Sequence, residues 1–257
     1  DGPSEITDVT RPMINGESTY RYILKGINSL VEKRCSFGCI LTVTKYNCDK
    51  IDYVIEHLFK LGVREIKVNA CRPLGRAKNS NSYLIVDPNT FFRAKVRAIE
   101  KFMELNQNSL TANARKIIRN LTESRKSTLC YSSPNCGAGV RILGFDVNGD
   151  VYPCDEFVGT TPEMKYGNVY ENSIVDMFCN SFVAKNIRRR TIYSIKKCSI
   201  CIWRHVCGGG CVASAYHEFG TIFREDPYCE FRKKIFGYLI WKVIEKPELI
   251  KIAKQLF

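Results

Sequence analysis

Apolar positions in the first part of the chain recur first at helical and then at strand spacing. Tyr22, Ile23, Ile27, Leu30 and Val31 fall on one stripe and predict an amphipathic helix from Thr19 to Glu32. The apolar run from Phe37 to Thr44 predicts a strand. Ile51, Val54, Ile55, Leu58 and Leu61 then mark the inner face of a second helix, with Asn47 expected to cap its start and Gly62 to end it in the left-handed conformation. Arg64 to Asn69 is the next predicted strand. A strand, helix, strand unit with short loops requires parallel pairing, so the fold class is α/β.

A polar loop over 72–87 follows, and Asp87-Pro88 supplies a cap and first-turn proline for a helix running to about Asn106. A more polar helix is expected from Ala112 to Ser124. From Cys130 the predicted strands shorten, turns multiply and cysteines crowd together, which puts a boundary near 125–130 and domains at 1–127 and 128–257. Asn148-Gly149 between apolar runs predicts a two-residue hairpin turn. Helices are expected again near Ser173 and over Cys229 to Glu245, with a last short one beginning at Pro247.

The 257-residue chain is 45% hydrophobic, ordinary for a globular protein with a real core. It has no apolar run of about 18 residues, and its opening Asp1-Gly2-Pro3-Ser4-Glu5 is not that of a signal peptide. No membrane partner and a cytoplasmic location are expected. A formal charge of +13 ordinarily suggests nucleic acid. Here the basic residues are scattered, and the densest groups, Arg188-Arg189-Arg190 and Lys196-Lys197, stand just before a cysteine motif, so nucleic acid is not expected. Thirteen cysteines, an odd number with metal-ligand spacings, fit a disulfide framework poorly.

Two spacings carry the chemistry. Cys136 is followed by twelve residues, Gly149, four residues and Cys154; farther on comes Cys198-x2-Cys201-x5-Cys207-x3-Cys211, then Cys229. Short gaps let one loop supply several thiolates to a four-iron cluster. Two four-cysteine zinc sites would draw on the same residues, although C-x5-C-x3-C is unlike paired zinc knuckles. The remaining cysteines at 35, 39, 48, 71 and 179 are expected to be small buried hydrophobes. Cys35-x3-Cys39 begins like a C-x3-C-x2-C motif but has Thr42 at the third position.

Over about 130–232 this pattern resembles the SPASM domain of radical S-adenosylmethionine (SAM) maturases. The resemblance implies a first [4Fe-4S] cluster on Cys130, Cys136, Cys154 and Cys211, and a second on Cys198, Cys201, Cys207 and Cys229. The assignment of Cys211 to the other cluster comes from the family and not from spacing. Asp155, directly after Cys154, stands where sulfatase maturases carry their proposed proton-removing base; a capping or lysine-paired aspartate is the plainer reading. The opening Asp1-Gly2-Pro3, with Asp8 and Arg11, resembles the fourth barrel strand segment of the family, with Thr7 in place of a histidine. That match implies that Arg11 contacts the SAM carboxylate, and a surface arginine is the alternative. The loops Leu41-Thr42-Val43-Thr44 with Asn47, and Arg72-Pro73-Leu74-Gly75-Arg76-Ala77, look like the next two strand ends.

On this alignment the chain is expected to be the C-terminal part of a (β/α) radical SAM barrel followed by a SPASM module. SAM and a third [4Fe-4S] cluster would belong to the intact enzyme, since the SAM-cleaving C-x3-C-x2-C is absent here. Such a partial barrel would expose sheet edge and be poorly soluble in isolation. Three functions stay open. They are radical modification of a peptide or protein side chain with a ferredoxin or flavodoxin as electron donor, electron transfer by two clusters without SAM, and a zinc-bearing basic binding module.

Overall fold

The computed structural model describes residues 1–79, 83–106, 109–123 and 136–254, and they form two compact units. The first comprises Asp1–Arg72, Ala77–Ile118 and Lys234–Phe257; the second comprises Pro73–Arg76 and Arg119–Lys233. The boundary expected near 125–130 falls outside the described residues.

The first unit opens with α1 (Ser4–Thr10) and α2 (Tyr20–Glu32), followed by β1 (Cys39–Val43), α3 (Ile51–Lys60) and β2 (Ile66–Ala70). The two strands pair in parallel, Leu41 opposite Val68 and Thr42 opposite Asn69, as the α/β reading requires. After the one-turn α4 (Arg76–Asn79) come α5 (Pro88–Leu105) and α6 (Ala112–Thr122). Helix α5 starts as predicted, with the Asp87 carboxylate accepting from the Asn89 and Thr90 amides. Its apolar side, including Ala94, Ala98, Ile99 and Phe102, is fully buried, as are Ile51, Val54 and Ile55 of α3.

Two local expectations are corrected. Asn47 does not cap α3. Its side chain is buried and accepts from the Thr44 amide while donating to the carbonyls of Asp1 and Thr42. Of the predicted stripe on α2 only Ile27 is buried, because periodicity reports that a stripe exists and not what covers it. Helix α1 had no strong apolar period to announce it.

The sheet ends at each side on side chains. Thr42 turns its amide to the Asp1 carboxylate (3.1 Å) and its carbonyl to Asn47 (3.0 Å). Val68 turns its amide to Asn113 Oδ1 (2.8 Å) and its carbonyl to Lys95 Nζ (2.8 Å). At those two positions the edge groups are satisfied without a further strand. Lys95, wholly buried on α5, also donates to Asn113 Oδ1. Burial, with a smaller contribution from Lys67, holds the Lys95 ammonium well below the ordinary lysine range. The unfolded chain therefore binds the extra proton between the two pKa values, and stability contributed by this site rises with pH through that window. We expect the unfolding free energy of wild type, measured against Lys95→Met in urea, to increase as the pH rises toward the ordinary lysine pKa of about 10. A constant difference would show that Lys95 does not titrate there.

The second unit is built of short elements: β3 (Gly144–Phe145), β4 (Asp150–Tyr152), β5 (Gly167–Asn168), α7 (Ile174–Asn180), α8 (Phe182–Arg189), α9 (Lys196–Ser199), α10 (Arg204–Cys207) and α11 (Val212–Phe219). Strands β3, β4 and β5 form an antiparallel sheet in that order. The hairpin is present, but its turn is not the two-residue type. Gly149 donates to the Asp146 carbonyl and Asp146 to the Asp150 carbonyl, and of Asn148 and Gly149 only the glycine has positive φ (88°). A type I′ turn needs positive φ at both, so the connection is one residue longer with Gly149 closing it.

Helix α12 (Cys229–Glu245) begins in the second unit, and from Lys234 its residues belong to the first, followed by α13 (Glu248–Lys254). The sequence groups these C-terminal residues with the cysteine-rich half. Their contacts are with α5: Lys242 pairs with Glu100 at 2.8 Å, Tyr238 donates to the same carboxylate, and Lys234 donates to Asn89 at 2.7 Å. Among the described residues no helix is long and apolar enough to cross a membrane.

Candidate metal centre

Seven cysteines of the second unit fall into two groups. Cys136 opens a tight turn in which the amides of Val140, Arg141 and Ile142 all point at the Gly137 carbonyl. The Gly139 amide ties that turn to the Pro153 carbonyl at 2.8 Å, beside Cys154. Cys211 caps α11, its sulfur accepting from the Ser214 amide at 3.4 Å. These three pack into one hydrophobic cluster with Phe157, Val212, Ala213 and Ile222. Cys130, the fourth member expected here, lies outside the described residues.

The second group is local. Cys198 sits in α9, and the Cys201 amide donates to its carbonyl at 3.1 Å. Cys207 ends α10, where Gly208 takes the left-handed conformation (φ 66°) and donates to the Arg204 carbonyl. Cys229 opens α12, its amide on the Asp226 carbonyl at 2.9 Å. The Cys198 thiol feels the thiols of Cys207, Cys229 and Cys201.

Burial dominates the electrostatics of both groups. It pushes the Cys154 thiol far above the ordinary range, and the neighbouring Cys211 and Cys136 add to the shift. It pushes Cys198 up to about 11, again helped by neighbouring thiols. Cys207 and Cys229 are raised chiefly by burial as well. Thiols in such surroundings become thiolates when a cation replaces the proton.

Asp226 stands between the groups. Its buried carboxylate accepts from the Cys211 amide (2.7 Å), the Tyr228 amide (2.7 Å) and the Arg232 guanidinium (2.8 Å). Burial alone would raise its pKa; Arg232 and the two amides outweigh that and hold it below the usual carboxylate range. Asp226 is thus committed to holding the loops and is not a spare ligand.

The donor set suits an iron-sulfur group. Every candidate ligand is a thiol, and the described members of the first group sit in a hydrophobic cluster. The Tyr166 hydroxyl, buried against Gly139 of the Cys136 turn, has no hydrogen-bond partner among the described residues, and a group bearing sulfide and thiolate acceptors would give it one. Among the described residues no three His, Cys, Asp or Glu side chains close on one metal ion. A cluster asks for less closure, since each thiolate binds a different iron.

The other candidates lie apart from this constellation. Asp155 is exposed at the start of a turn over Asp155–Phe157. Arg11, in the first unit, pairs with Asp1 at 2.5 Å and reaches Thr42 Oγ1 at 3.4 Å. Thr7 is buried and donates to the Gly2 carbonyl. Of the five cysteines expected to be buried, Cys48 is, Cys39 and Cys71 are intermediate, and Cys35 and Cys179 are exposed. Cys35 lies in the loop after α2 and Cys179 in the last turn of α7, where a small apolar residue need not face the core. The basic run before the second group is structural in part: Arg188 donates to the Phe178 carbonyl and lies over its ring, and Arg190 is buried.

A family model for SPASM, an iron-sulfur cluster-binding domain, matches residues 136–202. An uncharacterized protein of Archaeoglobus fulgidus is 27% identical over 88% of this chain and 53% of its own length. The cysteine-type anaerobic sulfatase-maturating enzyme of Clostridium perfringens is 22% identical over 100% of this chain and 66% of its own length. The chain thus spans about half to two thirds of these relatives. Among solved structures, anSMEcpe with bound AdoMet superposes with a TM-score of 0.80 at 19% identity, over 100% of this chain and 65% of that one. The same protein with AdoMet and the Kp18Cys peptide gives 0.78 at 19% identity, covering 100% and 68%. The fold is therefore that of part of a radical SAM barrel with its SPASM module. The matched domain, the related maturases and the shared fold agree in likening the chain to the radical SAM/SPASM maturases.

Proposed function

We propose that this chain takes part in radical SAM-type modification of a peptide or protein side chain, holding one [4Fe-4S] cluster on Cys130, Cys136, Cys154 and Cys211 and a second on Cys198, Cys201, Cys207 and Cys229. The observation that carries the reading is the company of Cys211. It follows directly on Cys207-Gly208-Gly209-Gly210 in a single loop region, yet it packs with Cys136 and Cys154, more than fifty residues upstream. A local zinc knuckle has no use for that exchange.

When bound, each cluster supplies a one-electron redox centre. The chain's own residues supply the rest. Asp155, exposed beside Cys154, would take up the proton that the substrate releases once a radical has formed on it. Arg11 offers its guanidinium to the SAM carboxylate. The anSMEcpe structures with AdoMet and with peptide support SAM and a peptide as ligands here. SAM cleavage and its own cluster need a C-x3-C-x2-C spacing, which this sequence does not contain. A ferredoxin or flavodoxin is the electron donor in this scheme.

Iron, sulfide and zinc analysis after anaerobic purification tests the ligand assignment. About eight irons with matching sulfide on these two sets uphold it, and about two zincs without sulfide defeat it. In protein competent for turnover, Asp155→Ala is expected to keep its iron and lose about a hundredfold or more in product formation. Undiminished turnover removes Asp155 from the mechanism.

A further inference from the structure

Arg190 is buried, and its guanidinium donates to three backbone carbonyls: Nε to Ile222 (2.5 Å), and Nη2 to Gly209 (2.9 Å) and Arg224 (3.3 Å). Gly209 is the middle of Gly208-Gly209-Gly210, which connects Cys207 to Cys211. All three glycines hold left-handed φ values of 66°, 81° and 73°. A Cβ on Gly209 would lie 3.3 Å from Arg190 Nη1, so the loop rests directly on the guanidinium. The far side of the same loop is equally tight, since a Cβ on Gly210 would come within 2.4 Å of Asp226.

That loop crosses from one cysteine group to the other. The thiols whose charge reaches Arg190 come from both: Cys136 and Cys211 of the first, and Cys198 of the second. Asp226 also acts on it, but that carboxylate is engaged by Arg232. Backbone carbonyls fix the guanidinium without cancelling its charge.

We propose that Arg190 is a positioning residue shared by the two clusters, strapping the Cys207–Cys211 crossing and raising the reduction potential of both together. The proposal rests on the cysteines being cluster ligands. Reduction adds one negative charge to a cluster, and a fixed buried cation favours the more negative state.

The test is an EPR-monitored redox titration of the purified protein under anaerobic conditions, with iron and sulfide measured on each sample. In Arg190→Gln the reduction equilibria of both clusters are expected to shift tenfold or more toward the oxidised form, about 59 mV for each tenfold in a one-electron couple. Arg190→Lys, which keeps the charge, is expected to stay within about threefold of wild type. Unchanged potentials in Arg190→Gln, a shift in one cluster only, or an equal shift in both variants overturns the proposal. Should the glutamine variant lose its clusters, the lysine variant decides. Wild-type iron and potentials in Arg190→Lys uphold it, and loss of clusters there too reduces Arg190 to packing and overturns it. Wild-type protein without iron and sulfide fails the ligand reading itself, and this proposal with it.

Discussion

Cys211→Ala is expected to remove about four irons per chain and, in protein competent for turnover, to abolish product formation, while leaving the cluster on Cys198, Cys201, Cys207 and Cys229 in place. The reasoning is geometric. Cys211 caps α11 and packs with Cys136 and Cys154, whereas Cys207, four residues before it, lies with the second group. Loss of iron from a Cys207→Ala variant should therefore leave a different residual EPR signal from Cys211→Ala. If both variants leave the same signal, or if Cys211→Ala keeps its full iron, the allocation of Cys211 is wrong.

Gly144→Ala is expected to be among the most destabilising single-methyl changes available in the second unit. A Cβ there would lie 2.6 Å from both the carbonyl carbon and oxygen of Cys154, and 2.8 Å from Val158 Cγ2. Two of these obstacles are backbone and cannot rotate away. Strand β3 must part from β4, where Gly144 pairs with Tyr152. Overpacking of this kind costs about 3 kcal/mol or more when the backbone must move. Denaturant unfolding measures that loss, and the same shift displaces Cys154, so iron on the first group should fall with stability. A variant with wild-type midpoint and iron content would mean the strands separate freely.

Much of this was legible in the sequence, for reasons that differ by element. Helices α3 and α5 were readable because a local period and a local cap determine them: Ile51, Val54, Ile55 and Leu58 all turned inward, and Asp87 capped as its position next to Pro88 suggests. The cysteines stood out because ligand spacing is itself a local property. The residues that tie the site together were not readable. Arg190 stood out only as the last of three consecutive arginines before a cysteine motif, and only the fold brings Gly209, Ile222 and Arg224 to its guanidinium. Asp226 carried no motif, and Gly144 differed from other glycines only through the later approach of Cys154. Asn47 had the right residue type for a cap, but deeper backbone groups competed for its amide and won.

The interleaving of the two thiol groups also bears on how such a module is inherited. A cut between Cys154 and Cys198 would leave the second quartet whole and strip the first of Cys211, and a cut between Cys211 and Cys229 would do the reverse, so no single cut of the polypeptide leaves two complete centres on separate pieces. Under that allocation, shuffling of pieces can drop one centre but cannot divide the module into two halves that each keep their own.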